Sequence, residues 1–356
     1  MRRNETSIIL FKQTERCSAK NIYSFEKFSY IDGMMSGLKL KATMFATLAA
    51  IIGLSTLFFT IILSLIDALN IYSLALFVVF FNVLQWLLAP YLIDAMYSVR
   101  RVSRSEAPEL YEAVERLSRK SGIKPPQVMI ARLPIPNAFA YGSPLTGNRV
   151  AVTTGLLNTL NMDEVEAVLG HELGHLKHRD VQVMMFVSIL PALLYYIGYS
   201  LMWSSAFGRR DERGNASVLA LVGFLSIVLY WILTLFTLYL SRLREYYADR
   251  HSASIVEDGA RKLSIGLIKI VESTGKRRRR LTSLNNVSSF RMLFICDPES
   301  SERDLKELYA ASMWRGDREL IERYTRRRLT LLDQITELFS THPNIIKRLR
   351  SLQELM

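Results

Sequence analysis

His171-Glu172-Leu173-Gly174-His175 is the stretch of sequence that decides most about this chain. Residues four apart lie on the same face of a helix, so the two histidines can both direct imidazole nitrogens at one Zn²⁺. Glu172 lies beside them and can take a proton from a metal-bound water and return it to a leaving amine. The segment therefore predicts a hydrolytic metal site on a helix. The alternative is a helix that carries two histidines by chance.

A third metal ligand has to come from elsewhere in the chain. His178 shares the helix face, but a rise of 1.5 Å per residue puts it about 10 Å from His171, too far for both to bind one ion. Glu245 and Asp249 are again four residues apart. One of them could bind the metal while the other hydrogen-bonds the outer nitrogen of a ligand histidine. The alternative is a charged helix face on which nearby arginines pair with these acids.

Together these two segments resemble the HtpX-type membrane zinc proteases, relatives of the CAAX prenyl-protein proteases among the gluzincins. The resemblance implies that His171, His175 and Glu245 bind zinc, one ion per chain. It also implies that Glu172 is the catalytic base. Asp249 would then hydrogen-bond a ligand histidine without binding the metal itself.

Residues 136–142, Pro-Asn-Ala-Phe-Ala-Tyr-Gly, carry the same resemblance. They are similar to the family's edge strand beside the active site, along which a substrate peptide lies extended and is held by main-chain hydrogen bonds. The local pattern alone predicts an ordinary strand and turn. The resemblance assigns substrate binding to Asn137, Ala138, Phe139 and Ala140.

Residues 340–348 resemble the family's closing Ser/Thr-His-Pro element, which is followed by an arginine. The resemblance implies that His342 donates a hydrogen bond to the oxyanion formed on the peptide carbonyl. It also implies that Arg348 pairs with Asp249. The local alternative, compatible with both roles, is a helix capped by the serine or threonine of this segment.

Four apolar runs are long enough to cross a bilayer core about 30 Å thick. They cover residues 42–66, 71–92, 181–203 and 217–240, and none of them contains a charged residue. Buried core helices of a large soluble domain are the alternative, but uncharged runs of this length argue against it.

Lys and Arg are concentrated in the leader and in the two segments that carry the motifs. The positive-inside rule therefore predicts that the N-terminus, the active site and the C-terminus are cytosolic. Both ligand-bearing helices would extend from adjacent spans at the membrane surface. The expected domains are a basic leader (1–41), two membrane helices (42–98), a protease core (99–180), two further membrane helices (181–240) and a helical cytosolic part (241–356).

The expected fold is a mainly α membrane protein with four membrane helices and a cytosolic α+β protease domain. Apolar periodicity predicts a helix over 107–121 and short strands over 127–131 and 149–153, which would form a small sheet. Asp163 is expected to cap the zinc helix. Helices should dominate beyond Asp249, with breaks near Gly275 and over 297–301.

The net charge is +12, and residues 276–280 form an unbroken basic run. Because basic segments flank the predicted spans, an anionic lipid surface is the expected partner. No nucleic-acid-binding module is recognisable, so nucleic acid is not expected as a partner. Cys17 and Cys296 are too few and too far apart for a disulfide framework, which agrees with a reducing cytosol.

These observations, with the resemblance, lead to one functional hypothesis. The chain would be an integral zinc endopeptidase of the cell membrane that removes misfolded or damaged membrane proteins under stress. A prenyl-protein protease and an intramembrane protease are rival enzymes. Four spans are few for the first, and charged residues around the zinc motif argue against the second. A scaffold or sensor with a structural zinc is the non-enzymatic alternative, although structural sites normally have a fourth protein ligand.

Overall fold

The structure is a computed structural model that describes residues 71–207, 216–280 and 317–356. Helices make up most of these ranges, together with one small sheet. The helices are α1 (Ile71–Met96), α2 (Pro108–Ser121), α3 (Thr154–Leu157), α4 (Met162–Lys177), α5 (Asp180–Phe207), α6 (Ala216–Ile255), α7 (Gly259–Arg280), α8 (Asp317–Arg326), α9 (Leu331–Leu338) and α10 (Ile345–Gln353). The strands are β1 (Val99–Arg101), β2 (Gln127–Ala131), β3 (Ala138–Ser143) and β4 (Gly147–Thr153).

Three of the described helices are long and apolar enough to cross a membrane, over Leu76–Met96, Asp180–Ala206 and Ser217–Ile255. They correspond to the second, third and fourth predicted spans. The first predicted span, 42–66, and the leader, 1–41, lie outside the described residues. Large side chains such as Phe224 and Phe236 are exposed on these helices. An apolar surface of this extent fits contact with lipid.

The sheet has the strand order β1-β2-β4-β3. β2 and β4 are parallel, and the two outer pairs are antiparallel. β2 has the predicted bounds, and β4 begins two residues before the predicted 149–153. β3 is an edge strand, in agreement with the expectation for 136–142. The short β1 was not predicted, because three residues are too few to establish an alternation.

The two faces of the sheet pack against different helices. On one face, Val128 and Val150 join a core built with α2, α4, α7 and α10. On the other face, Phe139 and Tyr141 pack with Tyr97, which follows α1. The first core contains residues from both predicted cytosolic segments, 99–180 and 241–356. The two segments therefore fold together around the zinc-motif helix.

Asn161, and not Asp163, caps the zinc-motif helix α4. The Asn161 side chain accepts a hydrogen bond from the Glu164 amide, and the Glu164 carboxylate accepts one from the Asn161 amide. This reciprocal capping box leaves Asp163 inside the first turn, where its charge favours the helix N-terminus. The predicted break near Gly275 is also wrong, because α7 continues to Arg280. The break expected over 297–301 lies outside the described residues.

The two ligand-bearing helices leave the membrane segments in different ways. α6 is one unbroken helix from its apolar run through Glu245 and Asp249. By contrast, α4 ends before α5 begins, and Arg179 between them has a left-handed backbone with φ of 54°. The chain therefore turns sharply after the zinc motif, which places the N-terminus of α5 next to the motif.

Candidate metal centre

Two glycines allow the zinc-motif helix α4 to approach α6 closely. A Cβ added at Gly174 would lie 3.0 Å from the Cα of Ala248, and one at Gly170 would lie 3.0 Å from the Oγ of Ser252. Ser252 also donates a hydrogen bond of 2.6 Å to the carbonyl of Ala167. The helix backbones are therefore nearly in contact along the stretch that carries the predicted ligands.

The predicted ligands His171, His175 and Glu245 converge on one point. Nε2 of His171 lies 3.2 Å from Nε2 of His175 and 3.6 Å from Oε2 of Glu245. Nε2 of His175 lies 3.5 Å from Oε1 of Glu245. A tetrahedral zinc with bonds of about 2.0–2.1 Å holds its ligand atoms about 3.4 Å apart. The separations therefore fit one zinc ion, and the described ranges contain no other such group of three.

A carboxylate lies behind each of the two imidazoles. Nδ1 of His171 lies 2.9 Å from Oδ1 of Asp249, the residue predicted for this position. Nδ1 of His175 lies 2.6 Å from Oδ2 of Asp180. In neutral imidazoles, a proton on each Nδ1 would face the carboxylate behind it and leave both Nε2 lone pairs directed toward Glu245. Three acceptors would then converge on one point, and a bound divalent cation would offset their mutual repulsion.

The sequence interpretation missed Asp180. In a continuous helix, a residue five positions after His175 would lie on another face, so periodicity gives no signal for this contact. The left-handed turn at Arg179 ends α4 and brings Asp180 back to the motif. Arg244 of α6 pairs with Asp180 and so joins the N-terminus of α5 to the helix that carries Glu245.

Arg348 of α10 is buried and neutralises the acids of the site. Its Nε and Nη2 donate to the two oxygens of Asp249 at 2.9 and 2.6 Å, and its Nη1 lies 3.2 Å from Oε2 of Glu245. This bidentate contact is the pairing expected from the sequence. The local alternative, a serine or threonine cap, is not found at α10, because Asn344 caps this helix by accepting a hydrogen bond from the amide of Ile346.

His342 lies in the loop between α9 and α10 and reaches the same site. Its Nδ1 is 3.3 Å from Oε1 of Glu245. Its Nε2 is buried and makes no hydrogen bond within the described part of the chain. Arg242 of α6 holds the loop by donating to the carbonyls of Glu337 and Ser340, both at 2.8 Å. Nδ1 likewise has no hydrogen-bond partner within the described residues, so both ring nitrogens lie unsatisfied beside the predicted ligands.

Glu172 is buried next to the ligands and touches the edge strand. Its Oε2 accepts a hydrogen bond of 2.8 Å from the amide of Ala140. Burial away from water raises the pKa of Glu172 above its usual value, although the neighbouring histidines oppose the shift. A carboxylate with a raised pKa is better suited to accept and return a proton near neutral pH.

The predicted substrate strand can offer backbone groups to the site. The side chains of Asn137, Ala138 and Phe139 are buried. The carbonyl of Asn137 accepts a hydrogen bond from the amide of Thr153 in β4, 3.0 Å away. Because successive residues of a strand alternate, the backbones of Ala138 and Ala140 face the open edge. The amide of Ala140 already donates to Glu172, so a bound peptide could meet the remaining main-chain groups of Ala138 and Ala140 there.

The carboxylates also govern the protonation of His171. Burial lowers the pKa of this imidazole, but hydrogen bonds to Asp249 and Glu245 outweigh burial and raise the pKa to about 9. A cation bound at His171 would therefore displace a proton that the negative charge of the site otherwise retains.

His178 lies outside the ligand group, as its position along the helix predicts. Its side chain is exposed, and its ring centroid lies 6.1 Å from that of His251. His251 in turn is within 2.9 Å of the Ser121 hydroxyl. Both histidines therefore belong to the contact between α6 and its neighbours and not to the metal centre.

Comparison with known proteins places this geometry in a family. Residues 104–356 match the sequence profile of Peptidase family M48. A protein named Protease HtpX homolog from Thermoplasma acidophilum is 37% identical over 301 residues, which cover 81% of this chain and 88% of the relative. Its counterpart from Aeropyrum pernix is 39% identical over 286 residues, covering 80% and 86%.

One solved structure extends the comparison to the fold. The crystal structure of S. mikatae Ste24p aligns with a TM-score of 0.53 at 18% identity. The alignment covers 88% of this chain and 67% of that protein. At this level of identity the likeness concerns the arrangement of elements alone.

Proposed function

The chain belongs to peptidase family M48 and is a membrane metalloprotease, and from that premise we propose that it hydrolyses peptide bonds with one zinc ion held by His171, His175 and Glu245. The observation that carries the proposal is the convergence of these ligand atoms at separations that suit tetrahedral zinc. Zinc bound there supplies Lewis acidity and lowers the pKa of a coordinated water.

In this proposal Glu172 moves the proton. The amide of Ala140 occupies its Oε2, which leaves Oε1 to take a proton from the attacking water and to deliver it to the leaving amine. Burial raises the pKa of Glu172, which strengthens the carboxylate as the base that takes the proton from water. The same hydrogen bond holds the base against the strand on which the substrate would lie.

We assign the oxyanion contact to His342, because its Nε2 is buried and has no hydrogen-bond partner among the described residues. Arg242 and Glu245 hold the loop and the ring in place. Asp249 and Arg348 act as positioning residues, because they orient His171 from behind without touching the substrate.

The substrate would add as a further strand on the outer edge of β3. Main-chain recognition is insensitive to sequence, which suits the removal of unfolded segments. β3 is attached to the end of the membrane helix α1, since the Tyr141 hydroxyl donates to Asp94 at 2.6 Å and the Ser143 hydroxyl donates to the carbonyl of Leu87 at 3.1 Å. Extended segments of membrane proteins would therefore be within reach.

From this arrangement we infer the cellular setting. The natural substrates would be misfolded or damaged membrane proteins, cut at the cytosolic face of the cell membrane. The basic residues near the spans would contact anionic lipids there. The positive-inside rule supports this orientation.

The test compares casein cleavage by the full-length wild type and by Glu172→Gln. Removal of a general base should lower kcat by about 10²–10⁴-fold while the zinc content stays the same. Glu166→Gln is the matched control, because Glu166 lies on the same helix but pairs at the surface with Arg116. Equal activity of wild type and Glu172→Gln would refute the assigned base, and a wild type without zinc would refute the metal site.

A further inference from the structure

The short helix α9 turns its apolar side away from the protein. Leu331, Ile335 and Leu338 are 77%, 53% and 53% exposed. Their spacing of four and three residues places them on one face of the helix. α9 therefore carries a continuous apolar stripe on its outer side.

The acidic residues of α9 are turned inward. The side chain of Asp333 is 12% exposed and accepts hydrogen bonds from the amide and hydroxyl of Thr330, 2.9 and 2.8 Å away. The side chain of Glu337 is 11% exposed and accepts a hydrogen bond of 2.5 Å from Lys347. A helix that faces water has the opposite arrangement, with charges outside and large apolar side chains inside. The orientation of α9 therefore fits an apolar surrounding.

The C-terminus of α9 is fixed where α6 leaves its apolar run. Arg242 donates to the carbonyls of Glu337 and Leu338 at 2.8 and 3.2 Å. The guanidinium of Arg242 also lies 5.8 Å from the ring centroid of Tyr239. Tyr239 is 53% exposed and belongs to the last turn of the predicted span 217–240. Exposed aromatic side chains at the end of a span mark the level of the lipid headgroups.

We propose that α9 is an interfacial helix that lies in the cytosolic surface of the bilayer crossed by α6. Its apolar stripe would enter the headgroup and acyl boundary by about 5–10 Å. The exposed Arg326 and Arg328 just before α9 would contact anionic headgroups. The loop after α9 carries His342, so lipid contact would set the height of the oxyanion donor above the membrane. The inference rests on the proposed function, because it takes α6 to span.

The experiment uses the full-length protein with Cys17→Ser and Cys296→Ser and a single new cysteine labelled with an environment-sensitive fluorophore. The protein is reconstituted in vesicles of phosphatidylcholine and phosphatidylglycerol that contain spin-labelled lipid. A label at Ile335→Cys should lose about half of its fluorescence to the lipid quencher and shift to the blue. A label at the exposed Gln353→Cys of α10 is the polar control, and one at Phe236→Cys on α6 is the reference for a span.

Quenching at Phe236→Cys without quenching at Ile335→Cys would overturn the interfacial helix and leave the proposed function intact. No quenching at Phe236→Cys would show that α6 does not span, and would overturn the interfacial helix together with the inferred membrane setting, whereas cleavage by the wild type and not by Glu172→Gln would still support the zinc chemistry. A blue shift at Ile335→Cys that grows with protein concentration in detergent, without lipid quenching, would mean that a second copy of the chain covers the stripe. A blue shift that occurs only when casein is added would mean that a polypeptide substrate covers the stripe. Either result overturns the proposal.

Discussion

Each histidine that is predicted to bind the metal contacts an aspartate that is itself paired with an arginine. His171 contacts Asp249, which pairs with Arg348 of α10. His175 contacts Asp180, which pairs with Arg244 of α6. Such histidine–aspartate–arginine contacts fix the imidazole orientation and keep the carboxylates charged. The predicted ligands come from α4 and α6, and the side chains that hold them in place come from α5, α6 and α10.

Asp180→Ala tests the contact of Asp180 with His175. Loss of the carboxylate releases the ring of His175, so the affinity for zinc should fall by about 10–100-fold. Competition with a fluorescent chelator measures the affinity. Asp163→Ala is the control, because Asp163 lies on α4 with an exposed side chain 3.7 Å from Lys262. Unchanged affinity in Asp180→Ala would contradict the role.

The sequence predicts some of these residues better than others. The spacing of His171 and His175 is sufficient for their convergence, since it depends on helix geometry alone. Spacing leaves Glu245 and Asp249 interchangeable, and only the resemblance separates them. In the structure, Glu245 lies near both Nε2 atoms while Asp249 contacts Nδ1 of His171. The contact of Asp180 depends on a left-handed turn that no pattern indicates.

The crossing of α4 and α6 decides whether the site can form. Glycine inside a helix costs stability, and the sequence alone gives no reason for Gly174 to bear that cost. The reason lies on the partner helix, where the backbone of Ala248 leaves no room for a side chain. Strands β2 and β4, the helix α2 and the apolar runs follow closely from local periodicity, whereas this crossing depends on contacts distant in sequence.

Gly174→Ala tests the crossing at the scale of the element. The added methyl group would lie 3.0 Å from the Cα of Ala248, so the helices must separate. We expect a loss of stability of about 1–3 kcal/mol and weaker zinc binding. In the control Gly266→Ala, the new methyl would be 3.6 Å from its nearest neighbour. Thermal unfolding and zinc titration of both variants give the comparison, and equal zinc affinity would contradict the account.

At the scale of the whole molecule, the site joins the parts of the chain on either side of the membrane segments. α4 supplies His171 and His175, α6 supplies Glu245, and the C-terminal region supplies His342 from a loop and Arg348 from α10. The same parts share one hydrophobic core. Metal binding should therefore stabilise the fold around this core as a unit, because the site does not exist in the unfolded chain.

Removal of the metal tests this coupling. Chelation should abolish cleavage and lower the melting temperature, since a ligand present at 100 times its Kd stabilises the native state by about 2.7 kcal/mol. Tryptophan fluorescence on heating, with chelator and with added zinc, measures the shift. Glu245→Ala should melt at the same temperature in both conditions. A wild type whose melting temperature does not change with chelator would contradict the coupling.

The proposed chemistry depends on one zinc ion held by two imidazoles and one carboxylate. X-ray absorption at the zinc edge of the full-length protein measures these ligands. We expect nitrogen and oxygen scatterers at about 2.0–2.1 Å, with the outer-shell signal of two imidazoles. Sulfur at about 2.3 Å, or a closed shell of protein ligands with no exchangeable position, would contradict it.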